Sequence, residues 1–495
     1  MANIREITLN ILIEYDRDGV RKPSLLKDSL EKYDYLETRD KAFIKRCVDG
    51  CLERQIQIDY ILDSFSKTKV SKMQPFIRSL LRMSVYQIMF MDAVPDSAAC
   101  NEAVKLAQRH KFTGLKSFVN GVLRNIARNK DKIEYPSKEE DGGIKYLSVV
   151  YSMPEWICRM WLQRYGFATT ENMLQFFLLP RPTVVRLNMT GLFPGKELSM
   201  KEEYGEAEEK YVEEQVRSFE EAGCRVKRSP VLPYALELEK TDNIRFLPGF
   251  DEGKFFVQDV SSMLVTELAD PKAGQTVVDV CAAPGGKSLH AAERVASKIG
   301  SGAGAAADAA GVVLSRDVSE RKCDLIRENA ERMGLSNVKV EVHDARVHDP
   351  ELESKADVLY LDLPCSGLGI IGRKNDIKYN ATQKGLKELA ALQWEIIKTA
   401  WDYVKPGGTL LYSTCTVNSA ENEEMVKRIC AELPFEIVDF SKEIPESLRK
   451  KVGDDKCEPQ TAPSLMDQAK NGYIQLLPGE YGTDGFFIAK LIRKV

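Results

Sequence analysis

Hydrophobic positions recur every three to four residues through roughly the first 130 residues of the chain, the spacing of amphipathic helices. Ile4, Ile7 and Ile11 fall on one face. So do Ile77, Leu81, Val85 and Ile88, and later Val119, Val122 and Ile126. Period-two alternation is nearly absent, and polar breaks such as "DRDGVRKP" and "VPDSA" separate the helical runs. The pattern predicts a compact all-α domain over residues 1–135.

The pattern then changes twice. "NKDKIEYPSKEEDGG" carries charges, a proline and two glycines, and reads as a linker. "PEWICRMWLQRYG" returns to helical spacing, with Trp156 and Trp161 expected to pack that helix on a neighbour. From about Pro182 the short β-rich runs "TVVRLNM", "YALELEK" and "GKFFVQDV" surround an acidic helix. Linker helices and a small α+β subdomain are expected over 136–250. From 251 to 495 strand and helix patterns alternate. The strands are "TVVDV", "GVVLSRD", "NVKVEVHD", "ADVLYLD", "GTLLYST" and "GFFIAKLIR". This alternation predicts an α/β domain, a mostly parallel, Rossmann-like sheet covered on both faces. The low-complexity stretch Gly300–Gly311 falls between a helix and a strand and reads as a surface loop.

Composition narrows the class. With 43% hydrophobic and 29% charged residues the chain is globular rather than disordered. No apolar run has membrane-spanning length, and acids enter the N-terminus too early for a signal peptide. The expected location is the cytoplasm, where the eleven cysteines are expected to stay thiols. No membrane partner and no metal are expected. Cys47 and Cys51 share a helix face, but no second pair lies near to complete a zinc site. Nothing calls for an obligate oligomer, so a monomer is expected. The net charge of -4 does not exclude nucleic acid, which needs only a local patch. Lys105, Arg109, Lys111, Lys116, Arg124, Arg128 and Lys130 cluster between residues 101 and 130 against the single acid Glu102. On charge alone this is equally a solvated helix face or a phosphate-binding one.

"CAAPGGKS" follows the strand "TVVDV" and ends like a P-loop. A P-loop requires glycine where Cys281 stands, so the triphosphate reading is weak. Cys281, Ala282, Ala283, Pro284, Gly285 and Gly286 instead form a small-residue turn that lets backbone amides approach a ligand. Asp317 at the end of the next strand can accept ribose hydroxyls. Asp344 after the third strand is placed to reach an adenine edge. A cationic adenosyl cofactor tolerates these carboxylates where a pyrophosphate would be repelled, so S-adenosyl-L-methionine fits.

Cys365, in "LYLDLPCSGLG", and Cys415, in "LLYSTCTVNSAENEE", follow two further strands and should face the same crevice. A thiolate adding to C6 of a pyrimidine makes C5 nucleophilic toward a methyl donor. Asp362 beside Cys365 can hold the N3 and amino edge of a cytosine. The spacing alone does not say which cysteine attacks.

The segments "DVCAAPGGKS", "DLPCSGLGIIGRKNDIKY", "STCTVNSAENEE" and "LLPGEYGTDGFFIAKL" resemble the RNA 5-methylcytosine methyltransferases of the RsmB/Nop2/Sun family. "FVNGVLRNIARN" resembles the NusB fold. The resemblance implies a NusB-like RNA-binding domain and an enzyme that forms 5-methylcytosine in 16S rRNA. It implies Cys415 as nucleophile and Cys365 as the residue that assists product release. It makes Cys281 to Lys287 the cofactor loop, completed by Asp317, Asp344 and Asp362, with Lys287 and Asp362 also beside the reacting base. It implies RNA contacts for Arg186 and Asn188. The basic cluster of Lys105, Arg109, Lys116, Arg124 and Arg128 then reads as a phosphate contact, giving affinity rather than base choice. Leu363 departs from the family, which has a small residue before Pro-Cys.

Overall fold

The computed structural model describes residues 3–17, 25–189, 205–241, 243–296, 311–449 and 463–495. The insertion read at Gly300–Gly311 lies outside them except for its last glycine. The chain forms two compact units, Met1–Leu179 with Ile371–Ala381, and Pro180–Ile370 with Thr382–Val495.

The first unit is helical among its described residues. Its helices are Ile4–Arg17, Leu25–Lys32, Thr38–Glu53, Gln55–Phe65, Pro75–Phe90, Asp96–Arg109, Lys116–Asn129, Ile144–Val150, Glu155–Phe177 and the short Ile377–Asn380. The apolar faces read from spacing form one core, in which Ile7, Ile11, Ile77, Leu81, Val85, Val119 and Ile126 are buried. Helix Glu155–Phe177 is broken at Gly166, whose φ of 74° is left-handed. Trp161 is fully buried, as its spacing suggested.

The unit continues past 135 because the supposed linker is fastened down. Tyr60 donates to Glu134 O at 2.8 Å, Gln57 to the Tyr135 hydroxyl at 3.3 Å, and Ile56 N to the Ser152 hydroxyl at 2.9 Å. A later segment joins the same unit. Lys378 is buried and donates to Glu53 O and Ser152 O at 2.7 Å each, and Tyr379 donates to Leu52 O at 2.8 Å.

The second unit holds two sheets. The smaller is antiparallel, in the order β2-β3-β1-β4, from β1 (Thr183–Leu187), β2 (Arg225–Arg228), β3 (Ala235–Glu239) and β4 (Phe255–Val257). The larger contains β5 (Thr276–Asp279), β6 (Val312–Asp317), β7 (Val338–Val342), β8 (Ala356–Asp362), β9 (Val404–Thr414), β10 (Phe435–Ile437), β11 (Tyr473–Leu476) and β12 (Phe486–Arg493). Its order is β10-β12-β9-β8-β5-β6-β7, with β11 also paired to β12. Strands β5 to β9 are mutually parallel, while β12 runs antiparallel to β9. All six strands read in this region are present.

The α+β part is not a separate body. One core joins Val184, Leu187, Val212, Phe219 and Leu236 to Val277, Leu289, Val313 and Val358. A second core of Val278, Leu359, Leu361, Trp394, Ile397 and Leu410 contains residues from the alternate positions of the same strands. Among the described residues no helix is long and apolar enough to cross a membrane.

Candidate active site

Because β5 to β9 are parallel, their carboxyl ends share one edge of the sheet, where ligands bind in open α/β folds. After β5 the chain makes the turn Cys281–Gly285. Ala282 N donates to Arg316 O of β6 at 2.8 Å, and Gly285 N to Ala282 O at 2.7 Å. Gly285 has φ of 106°, a conformation open to glycine. Helix Gly286–Val295 starts there, so its first amides are without intrahelical acceptors and available to a ligand. Burial and the nearby Asp279, Asp317 and Asp362 push the Cys281 thiol up, so it stays neutral in this turn.

Asp317 ends β6 and is 5% exposed. Ser319 N donates to one carboxylate oxygen at 3.2 Å, and Lys322 stands 3.5 Å from the other. Asp344 lies two residues beyond β7 and is bound by its own neighbour. Arg346 donates to it through Nε at 3.0 Å, a terminal guanidinium nitrogen at 2.6 Å and the backbone at 3.0 Å. These bonds draw its pKa down to about 2.

The register sets the centre of the site. Asp362 of β8 lies opposite Ser413 of β9. Ser413 donates to one Asp362 oxygen at 2.7 Å, and Lys287 Nζ bonds the other at 2.6 Å. The Lys287 ammonium also stands 5.2 Å from the Phe486 ring. Cys365, three residues past Asp362, and Cys415, two past Ser413, approach with their sulfurs 3.2 Å apart. The contact with Cys415, burial and the Glu421 carboxylate push the Cys365 thiol well up. The structure thus brings Lys287 to Asp362 at the end of β8, and Cys365 to Cys415 on the loops that follow β8 and β9.

Several polar groups here went unread in the sequence. Glu421 is fully buried and its carboxylate accepts from Ser366, Gln393 and Asn418. Asn422 and Gln475 are buried beside it. "NSAENEE" looks like a solvated helix start, and nothing in its composition signals that Glu421 turns inward. Asp279 at the end of β5 is also buried, with one oxygen accepting from Ser288 at 2.7 Å and the other without a partner. Burial raises its pKa to about 7, against the Ser288 hydrogen bond and with the help of the Asp362 charge.

One expected RNA contact, Arg186, is corrected, and Asn188 has its amide donor engaged within the protein. Arg186 is fully buried; it donates to Gln258 at 2.9 Å and forms an ion pair with Glu293. Its cation is spent inside the protein. Asn188 donates to the carbonyls of Gly253 at 2.9 Å and Met333 at 3.1 Å, so it ties loops together. Lys105, Arg109, Lys116, Arg124 and Arg128, by contrast, are all exposed on the two helices Asp96–Arg109 and Lys116–Asn129.

Comparison with known proteins agrees with this anatomy. Residues 266–492 match the family described as 16S rRNA methyltransferase RsmB/F, and residues 2–128 match the NusB family. The chain is 34% identical over 500 residues to the probable ribosomal RNA small subunit methyltransferase B of Bacillus subtilis, covering 100% of this chain and 99% of that protein. It is 29% identical to the ribosomal RNA small subunit methyltransferase B of Cronobacter sakazakii, with 99% of each chain covered. Among solved structures, that of PH0851 superposes with a TM-score of 0.71 at 24% identity, over 99% of both chains. NSun6 from Pyrococcus horikoshii with SFG, an analogue of S-adenosylmethionine, superposes with a TM-score of 0.52 at 20% identity, over 70% of this chain and 99% of that one. With an N-terminal NusB domain followed by a methyltransferase domain, the chain belongs to the ribosomal RNA small subunit methyltransferase B family.

Proposed function

We propose that the protein transfers a methyl group from S-adenosyl-L-methionine to C5 of a cytosine in 16S rRNA through a covalent cysteine adduct. The observation that carries this reading is the pair of sulfurs 3.2 Å apart beside the Lys287–Asp362 ion pair. One buried cysteine is an ordinary core residue. Two at neighbouring strand ends, next to a charged pair, form a site for nucleophilic chemistry.

The residues present fit the cofactor. The turn Cys281–Gly286 offers unpaired helix amides, and the left-handed Gly285 keeps it free of a side chain. Asp317 has acceptor capacity left beside Ser319 N for ribose hydroxyls. Asp344 would contribute at the adenine edge together with the Arg346 that holds it. When bound, S-adenosylmethionine supplies an electrophilic methyl group on a sulfonium.

The chain's own groups do the rest. Cys415, as thiolate, adds to C6 of the base, and the electron density reaches C5. Asp362, fixed by Lys287 and Ser413, holds the base by its amino edge. Lys287 offsets the carboxylate charge and leaves the region near neutral when the base enters. After methylation the C5 proton passes to solvent, the C5–C6 double bond re-forms, and Cys415 leaves as thiolate. Cys365 is held as a thiol by its surroundings, and donates to that departing sulfur. The target base must leave its stack to enter, so single-stranded or loop RNA is the expected substrate.

The test is transfer of radiolabelled methyl to unmodified small-subunit rRNA, with the product mapped by bisulfite sequencing. We expect one protected position or a few, abolished in Cys415→Ala. Cys365→Ala is expected to trap a protein–RNA adduct that survives denaturation. Normal turnover by Cys415→Ala would overturn the assignment.

A further inference from the structure

The two cysteines lie on separate loops, after β8 and after β9, and neither loop is held in place by strand pairing at the sulfur itself. Their approach to 3.2 Å therefore needs a fastener. Glu421 supplies one. It sits six residues after Cys415 and is fully buried. One carboxylate oxygen accepts from Ser366 N at 2.8 Å and Gln393 Nε2 at 3.1 Å. The other accepts from the Ser366 hydroxyl at 2.6 Å and Asn418 Nδ2 at 2.9 Å. Both bonds to Ser366 fall on the residue next to Cys365. The Ser366 hydroxyl also lies 2.7 Å from that of Thr416, the residue next to Cys415.

The neighbouring residue completes the arrangement. Asn422 accepts from Thr414 at 2.6 Å and donates to Thr416 O at 3.0 Å, so it grips the loop on both sides of Cys415. It donates also to Gln475 at 2.7 Å on β11. Gln393 donates to Pro364 O at 2.9 Å, on the other side of Cys365 from Ser366. Adjacent residues thus hold the two loops, Glu421 that of Cys365 and Asn422 that of Cys415.

We propose that Glu421 is a positioning residue that clamps the Cys365 loop to the Cys415 loop and so sets the sulfur–sulfur contact on which product release depends. The inference rests on the proposed roles of the two cysteines. A carboxylate is suited to this work because it accepts several hydrogen bonds and donates none, and all four of its partners here bring hydrogens. Its charge has a second effect. It disfavours a thiolate on Cys365, beside it. Glutamine at the same place must turn its amide toward one pair of donors, and one bond at least becomes a donor–donor clash.

The experiment uses the full chain carrying Glu421→Gln, with Cys365→Ala, Cys415→Ala and wild type beside it. The first readout needs no RNA. Dibromobimane fluoresces on bridging neighbouring thiols, and the bridge is mapped to Cys365 and Cys415 by mass spectrometry. The second is the denaturation-resistant adduct with unmodified small-subunit rRNA. We expect Glu421→Gln to bridge its cysteines several-fold more slowly and to accumulate adduct as Cys365→Ala does. S-adenosylmethionine binding should stay within twofold of wild type. Ser366→Ala, which removes one of the four bonds, should shift both readouts the same way by less, and decides the matter should Glu421→Gln not fold. Bridging at the wild-type rate overturns the clamp. So does slow bridging with no adduct, provided that Cys365→Ala does trap one. If Cys365→Ala traps none, the release role fails instead, and bridging alone judges Glu421.

Discussion

Asp279 is the residue whose environment departs furthest from what its position in the sequence suggests. At the end of β5 an aspartate is ordinarily a helix cap or a ligand contact, yet this one is enclosed, with one oxygen unpaired. Its pKa rises from 3.8 to about 7, so the folded state binds its proton more tightly than the unfolded chain. The stability it contributes is fully present below about pH 4 and is lost as pH rises through about 7. A shift of about 3 units corresponds to on the order of 4 kcal/mol across that window. Denaturant unfolding of wild type and Asp279→Asn at pH 5, 6, 7 and 8 checks this. Wild type should lose stability relative to the variant as pH rises, with little further change above 8. A difference independent of pH would mean that the carboxyl is ionised throughout. Gly369 argues the same way from space. A Cβ there would stand 2.1 Å from Gly485 O and 2.9 Å from Cys415 O. Gly369→Ala must therefore displace the Gly485 backbone first and press on the Cys415 loop, and should reduce methyl transfer at least tenfold with cofactor affinity retained, as measured by single-turnover kinetics and equilibrium binding.

At the scale of elements, the small antiparallel sheet and the helix after the Cys281–Gly285 turn are joined by a buried ion pair as well as by a shared apolar core. Arg186 on β1 pairs with Glu293 on helix Gly286–Val295, the helix that opens at that turn. Removing one partner of a buried pair leaves the other charge uncompensated, which costs roughly 3–5 kcal/mol. Arg186→Met should destabilise the protein by about that amount, and Arg186→Met with Glu293→Leu by much less. Because the guanidinium faces no RNA, neither variant should change the salt dependence of RNA binding. A lowered salt slope in Arg186→Met would restore the phosphate-contact reading. Arg186 also marks where the sequence stops being informative. An arginine in "TVVRLNM" looks like a surface cation on an edge strand, because its partner lies 107 positions later on another element. The parallel strands were legible because buried β5, β6 and β8 are near-continuous apolar runs. Strand β2, "RVKR", was not, since three of its four residues are exposed cations with no apolar alternation. The Cys281–Gly285 turn and both cysteine loops were legible by motif. The clamp beneath them was not, because burial of Glu421 depends on partners from the Cys365 loop and a helix as well as from its own loop.

For the whole molecule, the division into two units sets which property each can change. The cores of the helical unit and of the methyltransferase unit share no residue. The chain nevertheless visits the helical unit a second time at Ile371–Ala381, which no reading in chain order could anticipate. The exposed cations on helices Asp96–Arg109 and Lys116–Asn129 belong to the helical unit, so they should act on RNA affinity and not on the methyl-transfer step. They are not equivalent. Arg109 is paired to Glu6 at 2.7 Å and Lys105 to Glu102 at 2.8 Å, and each must leave its carboxylate to engage a phosphate. Arg124 bonds the neutral side chain of Asn120 at 2.8 Å, and Arg128 lies one turn further along the same face. The pair Arg124 and Arg128 should therefore contribute more to binding than Lys105 and Arg109. Replacing Arg124 and Arg128 by alanine should raise the KM for rRNA about tenfold or more, leave kcat near wild type at saturating RNA, and lower the slope of log affinity against log salt by roughly one to two. Lys105→Ala with Arg109→Ala should do the same more weakly. Titrations at several salt concentrations, with single-turnover rates at saturation, read all three quantities. A fall in kcat with unchanged salt slope would instead give these cations a part in the chemical step, and the division of labour between the two units would be wrong.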